Sequence, residues 1–290
     1  MAPAAATAVM KLQLVAPRRG LVWVQRAFQV FAGQPLGFAA LFAVCLFVFL
    51  LLGLVPVVGT IALLVLPPAG SLLFMIATRR VVDGKTAMPG SIAELASAGR
   101  TRLLALLKLG IAYAVAGFFV YWLAGVLDGG ALESFLESLP DTKTTPESAA
   151  ARLADPRLQF GLLLRLAFTG ALSVPFWHAP ALVHWGGQPW AKSLFFSSVA
   201  LWRNKGAFGV YGIAWVAVWM LLLAFVSIGV GLFGPQRFTL VATPLTLVFS
   251  TVFYASLWFT FADCFSADAA ASTRDDVDPT DSLTNTKGPS

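Results

Sequence analysis

Residues 36–78 run LGFAALFAVCLFVFLLLGLVPVVGTIALLVLPPAGSLLFMIAT, a stretch in which no side chain carries a charge. A bilayer core about 30 Å thick requires roughly 20 apolar residues in a helix that rises about 1.5 Å per residue. The stretch is long enough for two such helices, and the segment 54–59 leaves room only for a tight turn. The sequence therefore predicts a transmembrane hairpin, with one span over 36–55 and the next over 58–78.

The remainder of the chain has the same character. Of the 290 residues, 58% are hydrophobic and 12% are charged, whereas about 25% of the residues of soluble domains are charged. Four more apolar stretches have the length of a membrane span, at 103–127, 160–184, 207–233 and 238–262. The fold class predicted is an all-α polytopic membrane protein whose six transmembrane helices form three hairpins.

The apolar stretches also set the predicted domain boundaries. One six-helix membrane domain covers 20–265. Before it, residues 1–19 are predicted to be a disordered leader, in which Met10 is a candidate for the true first residue. After it, the acidic segment 266–290 is predicted to be a disordered tail, because it is polar and rich in aspartate.

Basic residues accumulate on one side of the predicted spans. Fifteen of the 20 lysines and arginines lie before span one, between spans two and three or four and five, or after span six, if Lys108, one turn into span three, is counted with them. Loops on the cytoplasmic side of membranes carry such an excess. Both termini are therefore expected in the cytoplasm. The net charge of +6 has the same explanation, so the bilayer and not a nucleic acid is the expected partner of the basic residues.

An internal repeat precedes the hairpins. Three cytoplasmic segments, at 20–33, 89–102 and 189–203, have the apolar periodicity of amphipathic helices. In the third, the apolar stripe consists of Trp190, Leu194, Leu201 and Trp202. Tryptophan and arginine at such positions suit the headgroup region of a bilayer. Each hairpin is thus predicted to follow an interfacial helix.

Three stretches carry a resemblance to a known family: MKLQLVAPRRGLVWVQRAFQVFAGQPLGF at 10–38, LVPVVGTIALLVLPPAGSLLFMIATRRVVDG at 54–84 and HAPALVHWGGQPWAKSLFFS at 178–197. With them the chain, over about 10–265, resembles uncharacterised six-span inner-membrane proteins of betaproteobacteria. It is also distantly similar to the membrane domain of glycerophosphodiester phosphodiesterases, without their catalytic barrel. The resemblance implies a fold and a place in the bacterial inner membrane, and it designates no functional residue.

Within the spans, polar and helix-breaking residues are the candidates for a site, and the candidates for lining a cavity are His178, Pro175, Pro180, Pro67 and Pro68. Prolines free backbone carbonyl groups inside a helix, and such broken helices line substrate sites in transporters. His178 is placed deep in span four, where it either hydrogen-bonds a freed carbonyl or lines a polar path. Arg165, in the same span, is expected to reach outer headgroups or the acidic segment 128–157.

Neither a catalytic motif nor a cluster of metal ligands is present in the sequence. We therefore expect no enzymatic activity, no cofactor and no metal. The leading hypothesis is a structural, scaffolding or accessory protein whose partners are the lipid bilayer and another membrane protein or a second copy of the chain. The alternatives are a small-molecule or lipid permease and a lipid-acting membrane enzyme. A dry centre packed with small residues favours the first hypothesis, and a polar cavity at the midplane favours the permease.

Overall fold

The computed structural model describes residues 10–138 and 153–267, and nearly all of them are helical. In chain order the elements are β1 (Met10–Leu12), α1 (Arg19–Gly33), α2 (Pro35–Gly53), α3 (Val58–Val65), α4 (Pro67–Val82), α5 (Gly90–Ala96), α6 (Arg100–Asp128), α7 (Ala131–Ser138), α8 (Pro156–Phe176), α9 (Ala179–His184), α10 (Trp190–Arg203), α11 (Lys205–Phe233), α12 (Pro235–Cys264) and β2 (Phe265–Ala267).

Five of these helical segments are long and apolar enough to cross a bilayer: α2, α6, the pair α8 and α9, α11 and α12. Helices α3 and α4 form a sixth segment, which is bent by 48°. The predicted all-α, polytopic fold is confirmed, and the helix bounds lie within a few residues of the predicted spans.

The bend in the sixth segment occurs at Leu66, immediately before Pro67 and Pro68. Proline lacks an N–H group, and its ring collides with the carbonyl group four residues earlier, so the helix is interrupted there. At this break α6 comes close, because Gly110 has no side chain. A Cβ atom at Gly110 would overlap the carbonyl oxygen of Val65 and lie 2.7 Å from its Cγ1.

The basic end of the bundle is the end at which α1, α5 and α10 lie, together with the starts of α6 and α11 and the ends of α4 and α12. Most of the buried core is here. Its large buried side chains come from α1, α4, α9 and α12 and include Trp23, Met75, Leu182 and Val252. Towards the other end the spans expose most of their side chains, so the protein is most tightly packed at the basic end.

One of the predicted interfacial helices requires correction. The segment 89–102 was predicted as one helix, but α5 ends at Ala96 and α6 already begins at Arg100. Gly99, with φ of +83°, separates them, because a left-handed backbone conformation ends a helix and is accessible mainly to glycine.

Small residues form the buried face of α10, and not the bulky residues of its predicted apolar stripe. Its buried residues are Ser193, Ser197 and Ala200, whereas Trp202 is 75% exposed. Within a membrane the lipid is as apolar as leucine, so small residues face neighbouring helices and allow close packing. Phe195 and Trp202 consequently face outward, whereas Leu194 and Leu201 are half-buried.

The two ends of the described chain are tied together at the basic end. Strands β1 and β2 pair antiparallel, with Met10 opposite Ala267. Asn204 accepts a hydrogen bond from the backbone N–H of Val15 (2.8 Å) and donates one to the carbonyl of Gln13 (3.1 Å). The predicted leader 1–19 and tail 266–290 are thus corrected where they adjoin the domain, while 1–9 and 268–290 lie outside the described residues.

A charged contact strengthens the same connection. The guanidinium of Arg19 donates two hydrogen bonds of 2.8 Å to the carboxylate of Asp263. The indole Nε1 of Trp23 donates a third, at 2.7 Å. Two donors from α1 therefore fix the last turn of α12, and paired charge-assisted hydrogen bonds of this kind are both strong and directional.

Candidate functional site

The junction between α8 and α9 is the most polar buried point of span four. The backbone N–H of His178 would normally bond the carbonyl of Val174, four residues earlier. Instead, the hydroxyl of Ser197 from α10 lies between them: it accepts a hydrogen bond from the His178 N–H at 3.0 Å and donates one to Val174 at 3.0 Å. A side chain inserted into the helical ladder in this way is a physical cause of a kink.

The side chain of His178 is fully buried. Its Nε2 lies 3.1 Å from the hydroxyl oxygen of Thr260 in α12, and the same oxygen accepts a hydrogen bond from Nε1 of Trp177 at 3.2 Å. The Thr260 hydroxyl itself donates to the carbonyl of Leu257 at 2.8 Å. Since that hydroxyl has only one hydrogen, Nε2 of His178 is the donor in its contact. His178 thus bonds a hydroxyl and not a carbonyl freed by the prolines.

Aromatic rings enclose the imidazole of His178. The rings of Phe208, Phe261 and Phe265 lie with their centroids 5.8, 5.9 and 5.5 Å from it, all in edge-on geometries. Phe208 belongs to the start of α11, Phe261 to the end of α12 and Phe265 to β2. The histidine therefore lies near the basic end of the bundle and not at the middle of its length. A ligand would reach the ring only after these aromatic side chains moved.

The prolines of the two broken spans lie in different surroundings. Pro67 and Pro68 line a cavity of about 130 Å³. Residues with hydroxyl groups line it at Ser71, Tyr113, Ser173 and Tyr254, and its remaining walls are Phe176, Trp177, Phe253 and Leu257. Pro175 lies inside α8 and is half-buried, and Pro180 is buried in α9. In the described chain, neither of these two prolines nor His178 is among the residues that line this cavity.

Arg165 forms a second polar centre, at the end opposite to the basic end. Its guanidinium contacts the carboxylate of Asp128 and, at 3.2 Å, that of Glu133. It also donates to the carbonyl of Gly161 at 3.3 Å and lies 5.2 Å above the ring of Tyr121. The side chain of Asp128 is fully buried. Of the two predicted alternatives for Arg165, outer headgroups or the acidic segment 128–157, the contacts with Asp128 and Glu133 agree with the second.

Several residues of these centres carry no sequence signal. Ser197 and Thr260 are ordinary polar residues of helices, and only the fold brings them to His178. Asp128 is visible in the sequence as the first charge of the acidic segment 128–157, but its burial against Gly161 is not. In residues 10–138 and 153–267, no three or more histidine, cysteine, aspartate or glutamate side chains gather in a way that could hold a metal ion.

One comparison with known proteins identifies relatives of this chain. It is 32% identical over 258 residues to a probable inner membrane protein of Burkholderia thailandensis, and the match covers 88% of this chain and 94% of that protein. The chain belongs to the same family of inner membrane proteins. No protein-family model and no solved structure matches it.

The membership confirms the expected multi-pass inner-membrane protein. It does not extend to the second resemblance, because nothing in the comparisons ties the chain to glycerophosphodiester phosphodiesterases. The match spans nearly the whole of both proteins, so the relative shares the length that the six spans require.

Proposed function

We propose that this inner membrane protein is a non-enzymatic scaffolding or accessory protein, which associates through its exposed spans with a second copy of itself or with another membrane protein. The observation that supports this proposal is the exposed apolar surface of α11. Only one stripe of the helix is buried, consisting of Ala207, Tyr211, Trp215, Leu222 and Gly229. The remaining faces are apolar and exposed, with Ile213 at 73% and Leu221 at 72%.

The pairing of the acidic residues supports the non-enzymatic part of the proposal. Asp263 is held by Arg19, Asp128 and Glu133 by Arg165, and Glu94 lies 3.7 Å from Arg80. Each pair connects two helices. Carboxylates held by arginine in this manner serve to fix helices against one another.

Crosslinking in native membranes tests the association. In a chain whose two cysteines, Cys45 and Cys264, are replaced by alanine, Leu221→Cys is expected to give a discrete crosslinked species with a bis-maleimide. Leu222→Cys is the matched control, since the next residue along α11 is only 9% exposed, and it should give none. A product of twice the chain mass indicates self-association, and any other fixed mass indicates a different partner.

The proposal fails if neither Leu221→Cys nor Ile213→Cys yields a crosslinked species while both variants are present in the membrane at normal abundance. In that case lipid alone covers the exposed face of α11.

A permease is the second candidate, because four residues with hydroxyl groups line the cavity at Pro67 and Pro68. Its volume of about 130 Å³ is below the roughly 300–1,000 Å³ usual for small-molecule sites, so transport would require it to widen. If the protein is a scaffolding or accessory protein, the cysteine of Ser173→Cys is expected not to react with a membrane-impermeant maleimide. Labelling of Ser173→Cys from either side would favour the permease instead.

The same labelling tests the inferred orientation, with both termini in the cytoplasm. The support for this orientation is the excess of basic residues at the basic end. Ser97→Cys, in the exposed turn after α5, should be labelled in inside-out vesicles and not in intact cells.

The repeat of a short helix before each hairpin supports the proposed distant similarity to the membrane domain of glycerophosphodiester phosphodiesterases. The proposed similarity concerns that membrane domain alone.

A further inference from the structure

A cavity of about 350 Å³ opens at the basic end between the first turns of α6 and the turn that joins α9 to α10. Two cations, Arg102 and Lys108, line it from α6. Gln188, Pro189 and Trp190 line it from the other side, and Leu104 and Val183 supply apolar surface. The cavity therefore combines positive charge, a hydrogen-bonding amide, an indole and aliphatic side chains.

Within residues 10–138 and 153–267, the two cations of this cavity have no acidic partner. The described residues contain ion pairs for Arg19, Arg79, Arg80 and Arg165, but none for Arg102 or Lys108. Both side chains are exposed. Their charge is thus available to an anion in the cavity, since no carboxylate of the described chain neutralises it.

The position of the cavity matches the headgroup layer of a bilayer. Helix α6 has 29 residues and is about 43 Å long, whereas the hydrocarbon core measures about 30 Å. Its first turns therefore extend into the headgroup region. Lys108 lies six residues beyond Arg102, about 9 Å further along the helix, from where its ammonium group extends back to the interface.

We propose that this cavity binds the phosphate headgroup of an anionic phospholipid, with Arg102 and Lys108 as the phosphate ligands and Leu104 against the start of an acyl chain. Guanidinium and ammonium groups bind phosphate by charge-assisted hydrogen bonds, and basic pockets between membrane helices suit anionic headgroups. Trp190 has the indole ring typical of the interface. Helix α10 begins at Trp190, so its N-terminal dipole adds to the positive potential.

Native mass spectrometry of the full-length protein in detergent tests the proposal with phosphatidylglycerol and phosphatidylcholine as probes. The wild-type protein should retain phosphatidylglycerol in preference to phosphatidylcholine. The double variant Arg102→Gln, Lys108→Gln should bind phosphatidylglycerol roughly tenfold to thirtyfold more weakly, as expected for the loss of two cations near the surface. The charge-conserving variant Arg102→Lys, Lys108→Arg should retain most of the binding.

The matched control removes one arginine and one lysine elsewhere at the basic end. Arg26 and Lys85 are exposed and do not line the cavity, so Arg26→Gln, Lys85→Gln should leave phosphatidylglycerol binding within twofold of wild type. Equal loss in this control would show that only the total charge matters, and unchanged binding in the Arg102, Lys108 variant would overturn the site. Displacement of the lipid by millimolar inorganic phosphate would assign the cavity to a soluble anion instead.

Discussion

Asp128→Asn is expected to lower the free energy of unfolding by about 3 kcal/mol, the low end of the cost of breaking a buried ion pair. The carboxylate of Asp128 is fully buried against the guanidinium of Arg165, which is itself 11% exposed. The substitution leaves Arg165 with Glu133 as its remaining acidic contact, and this keeps the loss from being larger. Equilibrium unfolding in mixed micelles, followed by circular dichroism, measures the change.

Asp155→Asn is the matched control for that experiment. Asp155 precedes α8 and caps it by accepting a hydrogen bond from the backbone N–H of Arg157 at 2.8 Å, and asparagine caps a helix equally well. The control should therefore unfold like the wild type. The double variant Asp128→Asn, Arg165→Gln should cost less than the sum of its single changes. A loss below about 0.5 kcal/mol for Asp128→Asn would place the pair among weak surface contacts.

Gly110→Ala has the second largest expected effect, a loss of about 2 kcal/mol. The new methyl group would collide with the carbonyl oxygen of Val65, so α6 would have to move away from the break between α3 and α4. The same unfolding measurement applies.

Gly117→Ala, two turns further along α6, provides the comparison. Nothing lies within 4 Å of the position that its Cβ atom would take, and alanine is the better helix former. This variant should be as stable as the wild type or slightly more stable. If both variants behaved alike, close approach at Gly110 would contribute nothing to stability.

The number and placement of the spans could be predicted from the sequence because each is set by a local property, the length of an apolar stretch. The predicted span 103–127 corresponds to α6 at Arg100–Asp128, and 207–233 to α11 at Lys205–Phe233. The bend in the second span was also visible locally, as the pair Pro67 and Pro68.

Side-chain direction and long-range contacts could not be predicted in this way. In a soluble protein the hydrophobic stripe of a helix packs against the core. In a membrane protein the outer face of a helix can contact apolar lipid, so the small residues Ser193 and Ser197 of α10 can form its buried face. The contact of Ser197 with His178 and that of Thr260 with the same residue depend on helix packing across 19 and 82 positions of the chain. No periodicity within one helix encodes such pairings.

The contacts that join the two ends of the described chain, the pairing of β1 with β2 and the Arg19–Asp263 ion pair, have a consequence for biosynthesis. Leu12 leaves the ribosome well before its strand partner Phe265, and Arg19 well before its partner Asp263, which lies in the last turn of α12. At about 5–20 residues per second, this interval is roughly 13–50 s. During that time Leu12 and Arg19 lack these partners. The contacts between the two ends can therefore form only when synthesis of the membrane domain is complete.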